Sequence, residues 1–246
     1  MRPAAARTQS INNLKQIGLG AQSFHDFHKR LPFNGTRAAV ANDPASGSWA
    51  FQILPFIDQA PLFAQPNLNA GVASYMCPGR GRPTFCATGA WTDYMINPWL
   101  NDARNGAVNA ADVKRELKDI TDGTSNTIFA GHGMINPSLY PSITAHAQST
   151  DIFKGGEPAL ARRSTTNQRD TNDDAGLTWG SPFAQGTLVV FCDGTVRMIP
   201  YSMTGGTIVD GVSKGPANNP VQLGDPVGRF GAYLTPAGGE AVVLPD

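Results

Sequence analysis

The sequence predicts an α+β fold, with one long N-terminal helix packed on an antiparallel β-sheet and large loops inserted between the strands. Three observations carry this expectation. Leu14, Ile17, Ala21 and Phe24 recur three and four residues apart, the spacing of a single apolar stripe on a helix. The runs Thr187-Leu188-Val189-Val190-Phe191 and Val196-Arg197-Met198-Ile199 flank Asp193-Gly194, a strong short-range hairpin signal. The 27 Gly and 19 Pro lie scattered along 246 residues without a period, which favours turns and irregular loops over a helical bundle.

In chain order, residues 4–28 read as the helix, stopped by Leu31-Pro32 because the residue before proline disfavours helical geometry. Ala4-Ala5-Ala6 carries no helix-start signal, so the helix reads as already under way at residue 4. Gly18 and Gly20 each cost about 1 kcal/mol in a helix interior, so this segment needs packing or an upstream continuation. Asn34-Gly35 marks a turn and residues 42–47 a loop. Ser48 reads as the cap of a short helix carrying Trp49, Ile53 and Leu54, broken near Pro55. Residues 64–110 are polar and punctuated, with short β-like runs around Tyr94 and Ile96. Asp112 to Leu117 reads as a short amphipathic helix, and Asp122-Gly123 as a turn into a strand at Thr127 to Ala130. Residues 155–175 hold nothing that builds a core and read as an exposed loop. After the hairpin, the tail from Thr204 is Gly- and Pro-rich and ends in Ala241-Val242-Val243-Leu244. The organisation expected is a helix at residues 1–30 and a globular head at residues 31–246.

The formal net charge is zero and charged residues make up 15% of the chain, well under the roughly 25% of an ordinary globular domain. Nucleic acid as a partner is disfavoured, since it calls for a clustered basic surface. A near-neutral surface is compatible with packing against copies of itself, because little charge repulsion opposes it. No run of about 18 apolar residues exists in this sequence, so it contains no membrane span.

Six stretches resemble one known family, in its order, between residues 7 and 240. Asn12-Asn13-Leu14-Lys15-Gln16-Ile17-Gly18-Leu19 with Phe24-His25-Asp26 and Leu31-Pro32 comes first. Ser48-Trp49 with Leu54-Pro55-Phe56-Ile57-Asp58-Gln59-Ala60-Pro61-Leu62-Phe63 follows, then Tyr75-Met76-Cys77-Pro78, then Thr92-Asp93-Tyr94 with Asn97. Ile120-Thr121-Asp122-Gly123-Thr124-Ser125-Asn126-Thr127-Ile128 is nearly letter for letter a family signature, and Val190-Phe191-Cys192-Asp193-Gly194-Thr195-Val196-Arg197 precedes Gly238-Gly239-Glu240. The family is the planctomycete-type, pilin-like DUF1559 family. The resemblance implies a pilin-like version of the α+β fold. It implies a structural subunit of a bacterial type IV pilus-like or type II secretion pseudopilus-like extracellular filament. The partners implied are copies of itself or related pilin-like subunits.

It also implies a prepilin cleavage site and hydrophobic membrane stem just before Arg7, so that the opening Met1-Arg2-Pro3 reads as a truncation. Such a subunit is anchored in the inner membrane before assembly and then belongs to the cell envelope or the extracellular space. Without the stem, the chain is expected to be monomeric or weakly associated. The expected assembly face is Leu14, Ile17, Ala21 and Phe24, with Asn12, Asn13 and Gln16 on its flank. The alternative is a membrane-tethered cell-envelope binding protein that recognises polysaccharide or another extracellular ligand through its loops. The sequence departs from the family at two places: Ser10 stands where members usually carry Cys, and Phe183 stands for a late His.

The chemistry-bearing residues point away from an enzyme. No G-x-S-x-G, H-E-x-x-H or Walker pattern occurs, and His132 and His146 flank a Pro-rich loop with no evident Ser or Cys partner. Cys77 and Cys86 enclose the turn-rich loop Pro78-Gly79-Arg80-Gly81-Arg82-Pro83, so a small disulfide ring and two separate thiols are both open. No CxxC pair or nearby His completes a zinc site there. His25 and His28 share a helix face, as metal ligands do, yet a His near a helix C-terminus is favoured by the dipole in any case. Asp122 and Asp193 suit a calcium cage or an acid–base pair, but Asp-Gly turns account for them more simply. The better calcium candidate is Asn172-Asp173-Asp174, dense in oxygen ligands, and related pseudopilins bind calcium in a late loop. Calcium is accordingly the one cofactor expected. Trp49, Trp91, Trp99 and Trp179 could form a sugar-stacking surface, though dispersed tryptophans more commonly pack in a core.

Overall fold

A computed structural model of the chain describes residues 3–86, 89–100, 112–142, 151–172, 177–205 and 230–237. Its helices are α1 (Pro3–His28), α2 (Trp49–Gln52) and α3 (Ala60–Ala64). Its strands are β1 (Phe85–Cys86), β2 (Gly89–Ala90), β3 (Tyr94–Ile96), β4 (Ile128–His132), β5 (Asn167–Arg169), β6 (Trp179–Ser181), β7 (Thr187–Phe191) and β8 (Val196–Ile199). The fold is α+β.

α1 is about 39 Å long at 1.5 Å per residue. It stops where expected: Lys29 takes a left-handed φ of 54°, and its N–H bonds the His25 carbonyl at 2.7 Å. His25 and His28 sit in the last turn, where the negative end of the helix dipole favours them. The Ser48 cap also forms, its hydroxyl accepting from the Ala50 N–H at 3.2 Å and donating to the Ile152 carbonyl at 2.8 Å.

The central sheet has the order β3-β4-β7-β8, antiparallel throughout. The β7–β8 hairpin turns through Asp193-Gly194; Gly194 adopts φ 82° and donates to the Phe191 carbonyl at 2.9 Å. β7 explains the sheet's position. Its Leu188 and Val190 pack in the cluster that contains Leu14, Ile17, Ala21 and Phe24 of α1. Its Val189 and Phe191 point the other way, into a cluster with Trp179, Phe230, Tyr233 and Leu234. Both faces are covered, which is why β7 reads as an unbroken apolar run instead of alternating.

The helix glycines turn out to be contact points. A Cβ on Gly18 would lie 2.7 Å from Val190 Cγ2 and 3.1 Å from Gly194 Cα, and one on Gly20 would lie 2.6 Å from Ile57 Cγ2. Their low helix propensity is offset by the burial this close approach permits, about 1.5–3 kcal/mol for each large side chain such as Leu14, Ile17 or Phe24.

Two expectations are corrected. Asp112 to Leu117 is not helical; Lys114 adopts φ 55°, and a 3-10 turn begins only at Leu117–Asp119. The reason is local: Asp112 Oδ1 accepts from the Lys114 N–H at 2.8 Å, offering the backbone an alternative to the helix. The stretch 155–175 read as an exposed loop is not a bare one over residues 155–172, its described part. Ala159, Leu160, Ala161, Arg162 and Asn167 are buried, Ala161 bridges Ile96, and β5 pairs in parallel with β6. Polar side chains bury this segment. Arg162 donates to the carbonyls of Thr178, Ala159 and Ala161 at 2.8–3.0 Å, and Asn167 Nδ2 donates to the Pro200 carbonyl at 3.1 Å.

Candidate functional site

The four residues expected to form an assembly face are spent inside the chain. Leu14, Ile17 and Phe24 are wholly buried and Ala21 nearly so, all within the chain's own hydrophobic core. On the flank, Asn13 is buried, its Nδ2 donating to the Met76 carbonyl at 2.9 Å, whereas Asn12 and Gln16 are exposed. What α1 offers outward is different: Leu19 is 61% and Phe27 74% exposed. Phe27 adjoins His28 and Phe56, with ring centroids 4.9 and 6.2 Å away. The period-3.6 reading captured the inward stripe and passed over these two, because isolated apolar residues on a polar face carry no periodic signal.

Beneath the helix lies a buried polar cluster that joins positions far apart in sequence. Ser10 Oγ lies 2.8 Å from Tyr94 OH, 2.9 Å from His132 Nε2 and 3.9 Å from Cys77 Sγ. His132 therefore does meet a Ser, and through that Ser10 hydroxyl it is linked to the Cys77 thiol. Phe183 also packs on His132, with centroids 5.7 Å apart. The two departures from the family wording, Ser10 and Phe183, are thus neighbours of one buried imidazole. Burial pushes that imidazole down to about 3, with Arg80 adding to the effect, and burial pushes the Cys77 thiol up to about 11. A neutral His and a protonated thiol sealed from solvent form a structural anchor; neither is poised as a nucleophile or base.

A second layer is ionic. Arg80 donates to Asp170 Oδ2 at 2.9 Å and Oδ1 at 3.1 Å, and reaches the Gly133 and Gly180 carbonyls. Arg82 donates to Asp93 Oδ1 at 2.6 Å and lies 4.4 Å over the Trp91 ring. Asp93 Oδ2 accepts from the Cys77 N–H at 2.7 Å. Burial works to raise the Asp93 carboxyl, but Arg82, Arg80 and that N–H together hold it below its ordinary value. The Thr92-Asp93-Tyr94…Asn97 stretch is a set of ties: Asp93 to the arginines, Tyr94 to Ser10, and Asn97 Nδ2 to the Ile128 and Leu234 carbonyls.

No disulfide joins Cys77 and Cys86; all three cysteines are buried thiols. Asp173, Asp174, His146 and the apolar run at residues 241–244 lie outside the described residues, while Asn172 is exposed and its carbonyl accepts from Asn136 Nδ2 at 3.0 Å. His25 Nε2 accepts from the Leu117 N–H at 3.2 Å and His28 stacks on Phe24. Asp193 Oδ1 accepts from the Thr195 N–H at 2.8 Å, as a turn residue does. Among the described residues no group of three or more His, Cys, Asp or Glu is placed to hold a metal ion. Trp49, Trp91 and Trp179 are fully buried and Trp99 half-buried, so they form core and no sugar-stacking surface. No helix among the described residues is long and apolar enough to cross a membrane.

The class of protein defined so far is an α+β domain whose N-terminal helix is sealed on a sheet by a buried hydroxyl–imidazole–thiol cluster. The chain matches the model of the family described as protein of unknown function (DUF1559), over residues 1–81 and 73–205, and it belongs to that family. No curated protein and no solved structure matches it.

Proposed function

We propose that this protein is a non-catalytic subunit of a pilus-like or pseudopilus-like filament at the cell envelope, assembling with copies of itself or related subunits. The observation that carries the reading is the outward side of α1. Leu19 and Phe27 are exposed large apolar residues just over two turns apart, on a helix whose inner side is already fully packed. A helix clamped to its own domain, with two exposed large apolar residues on an otherwise polar free side, suits a contact with the next subunit. A heterologous contact of that kind does not close on itself and so propagates a fibre. The family resemblance supports the same reading, with a membrane stem preceding Arg7 in the unassembled subunit.

The test is electron microscopy of cells producing the native protein, compared with cells producing the Leu19→Glu, Phe27→Glu double variant. Filaments labelled by an antibody to this protein, and lost in the variant while its thermal unfolding is unchanged, support the proposal. Dispersed surface protein in both strains, with no filament, removes it.

A further inference from the structure

We infer that a groove beside α1 is a binding site for a neutral oligosaccharide, a role that does not rest on the assembly reading. The groove lies between α1, the turn at residues 57–59 and the segment at residues 72–78, and holds about 510 Å³. That falls within the roughly 300–1,000 Å³ of small-ligand sites. Gln9, Asn13 and Gln16 line it from α1 at spacings of four and three residues, which places them on one face. Asp58, Gln59 and Ser74 line it from the opposite side, and Ile57 and Val72 give it an apolar component.

Three features select the ligand class. The first concerns the backbone of the far walls, none of which lies in a strand and part of which is used internally. The N–H groups of Ile57 and Gln59 bond the Leu54 carbonyl, Tyr75 bonds Val72, and Met76 bonds Ala73. No strand edge is offered to an extended peptide, so recognition runs through side chains. The second is chemical. The carboxamides of Gln16 and Gln59 each present a donor and an acceptor together, the combination that adjacent sugar hydroxyls require. None of the lining residues is cationic, which disfavours phosphate and carboxylate ligands. The third is preorganisation. Asn13 is fixed by its bond to the Met76 carbonyl, and Gln9 Nε2 is fixed by donating to Asn13 Oδ1 at 3.0 Å. Asp58 is held at φ 61°, a left-handed conformation that non-glycine residues seldom adopt. Among the described residues the side chains of Gln16, Asp58 and Gln59 make no hydrogen bond, so their polar atoms are available to a ligand.

The experiment is calorimetric titration of the 246-residue chain with chitotetraose, cellotetraose and maltotetraose, alongside a capped tetra-alanine peptide and inorganic phosphate. The variants are a Gln16→Ala, Asp58→Ala double substitution at exposed positions, and Lys15→Ala as a control on α1 outside the groove. Circular dichroism checks that each retains the fold. At least one tetrasaccharide is expected to bind, about tenfold or more weaker in the double variant, consistent with loss of hydrogen bonds to a carboxylate and a carboxamide. Lys15→Ala is expected to bind as the parent does. The inference is overturned if no tetrasaccharide binds, if binding survives the double substitution, or if the peptide or phosphate binds in preference to every sugar. None of these outcomes bears on filament formation, so the two proposals stand or fall separately.

Discussion

Ser10 Oγ lies 2.9 Å from His132 Nε2, although 122 residues separate them. This is where the N-terminal helix is tied to β4 by polar chemistry, while Asn13 and Gln22 tie it to the Met76 and Cys192 carbonyls elsewhere. Ser10 is also within reach of Tyr94 OH and Cys77 Sγ, so a single small side chain on α1 completes three partners at once.

Ser10→Cys is expected to create a covalent version of this tie. With Ser10 Oγ 3.9 Å from Cys77 Sγ, the variant should oxidise in air to a disulfide joining position 10 to Cys77. Closing a loop of that length stabilises by about 4 kcal/mol in the chain-entropy model, and the lost hydrogen bonds reduce the gain. Thiol titration of the denatured, unreduced variant should find only Cys86 and Cys192 reactive. If positions 10 and 77 both remain reactive, the side chains do not meet and α1 is docked differently.

Gly18→Ala tests the closeness of helix and hairpin. By propensity alone the change gains about 1 kcal/mol. The new methyl group would fall 2.7 Å from Val190 Cγ2 and 3.1 Å from the Gly194 backbone, and overpacking of that kind costs about 1–3 kcal/mol. Chemical denaturation should show a net loss of about 1 kcal/mol, the difference between those two effects. A more stable variant would mean that the helix stands off the sheet.

Asp93→Asn should be far more costly. It leaves Arg80 and Arg82 buried with Asp170 as the remaining carboxylate of the network, and removing one partner of a buried ion pair costs about 3–5 kcal/mol. A loss under about 1 kcal/mol in urea unfolding, the worth of an exposed pair, would show that the network is not closed to water.

Two buried groups set opposing dependences on pH. The folded His132 protonates only near pH 3, against an ordinary 6.5. Between those values the unfolded chain binds the extra proton, and stability falls as pH drops. Burial raises the Asp151 carboxyl from 3.8 to about 6, so in that window the folded state binds the extra proton and stability rises as pH drops. Between about pH 6 and pH 4 the two offset each other, and the parent should be nearly flat. Asp151→Asn should unmask His132 and lose stability steadily across that same window. A variant as flat as the parent would show that His132 is not buried in neutral form.

The sequence revealed elements whose cause is local. The α1 stripe, the Ser48 cap and the Asp193-Gly194 turn each declare themselves within a few residues, and each is found. The polar interior did not show in this way. Ser10, Tyr94, His132 and Arg80 come from four separate segments, and nothing in their neighbours marks them as buried, because charged and hydroxyl residues are ordinarily exposed. Arg162 misled in the same sense: in a segment poor in apolar residues, a guanidinium bonded to three carbonyls supplies the burial. The outward Leu19 and Phe27 were illegible for the opposite reason, since single exposed apolar residues are common on any surface.

The ties along α1 have a mechanical consequence. Ser10, Leu14, Ile17, Gly18, Gln22 and Phe24 attach the helix to the body over about 21 Å of its length, and Gln22 Nε2 reaches the Cys192 carbonyl in the hairpin turn. A pull along the helix axis, applied at its exposed first turn, loads these attachments side by side, and slippage by even one residue would drive the Gly18 contact into a side chain. The helix therefore behaves as a bar held in a row of notches, resisting traction along its axis better than peeling from its end.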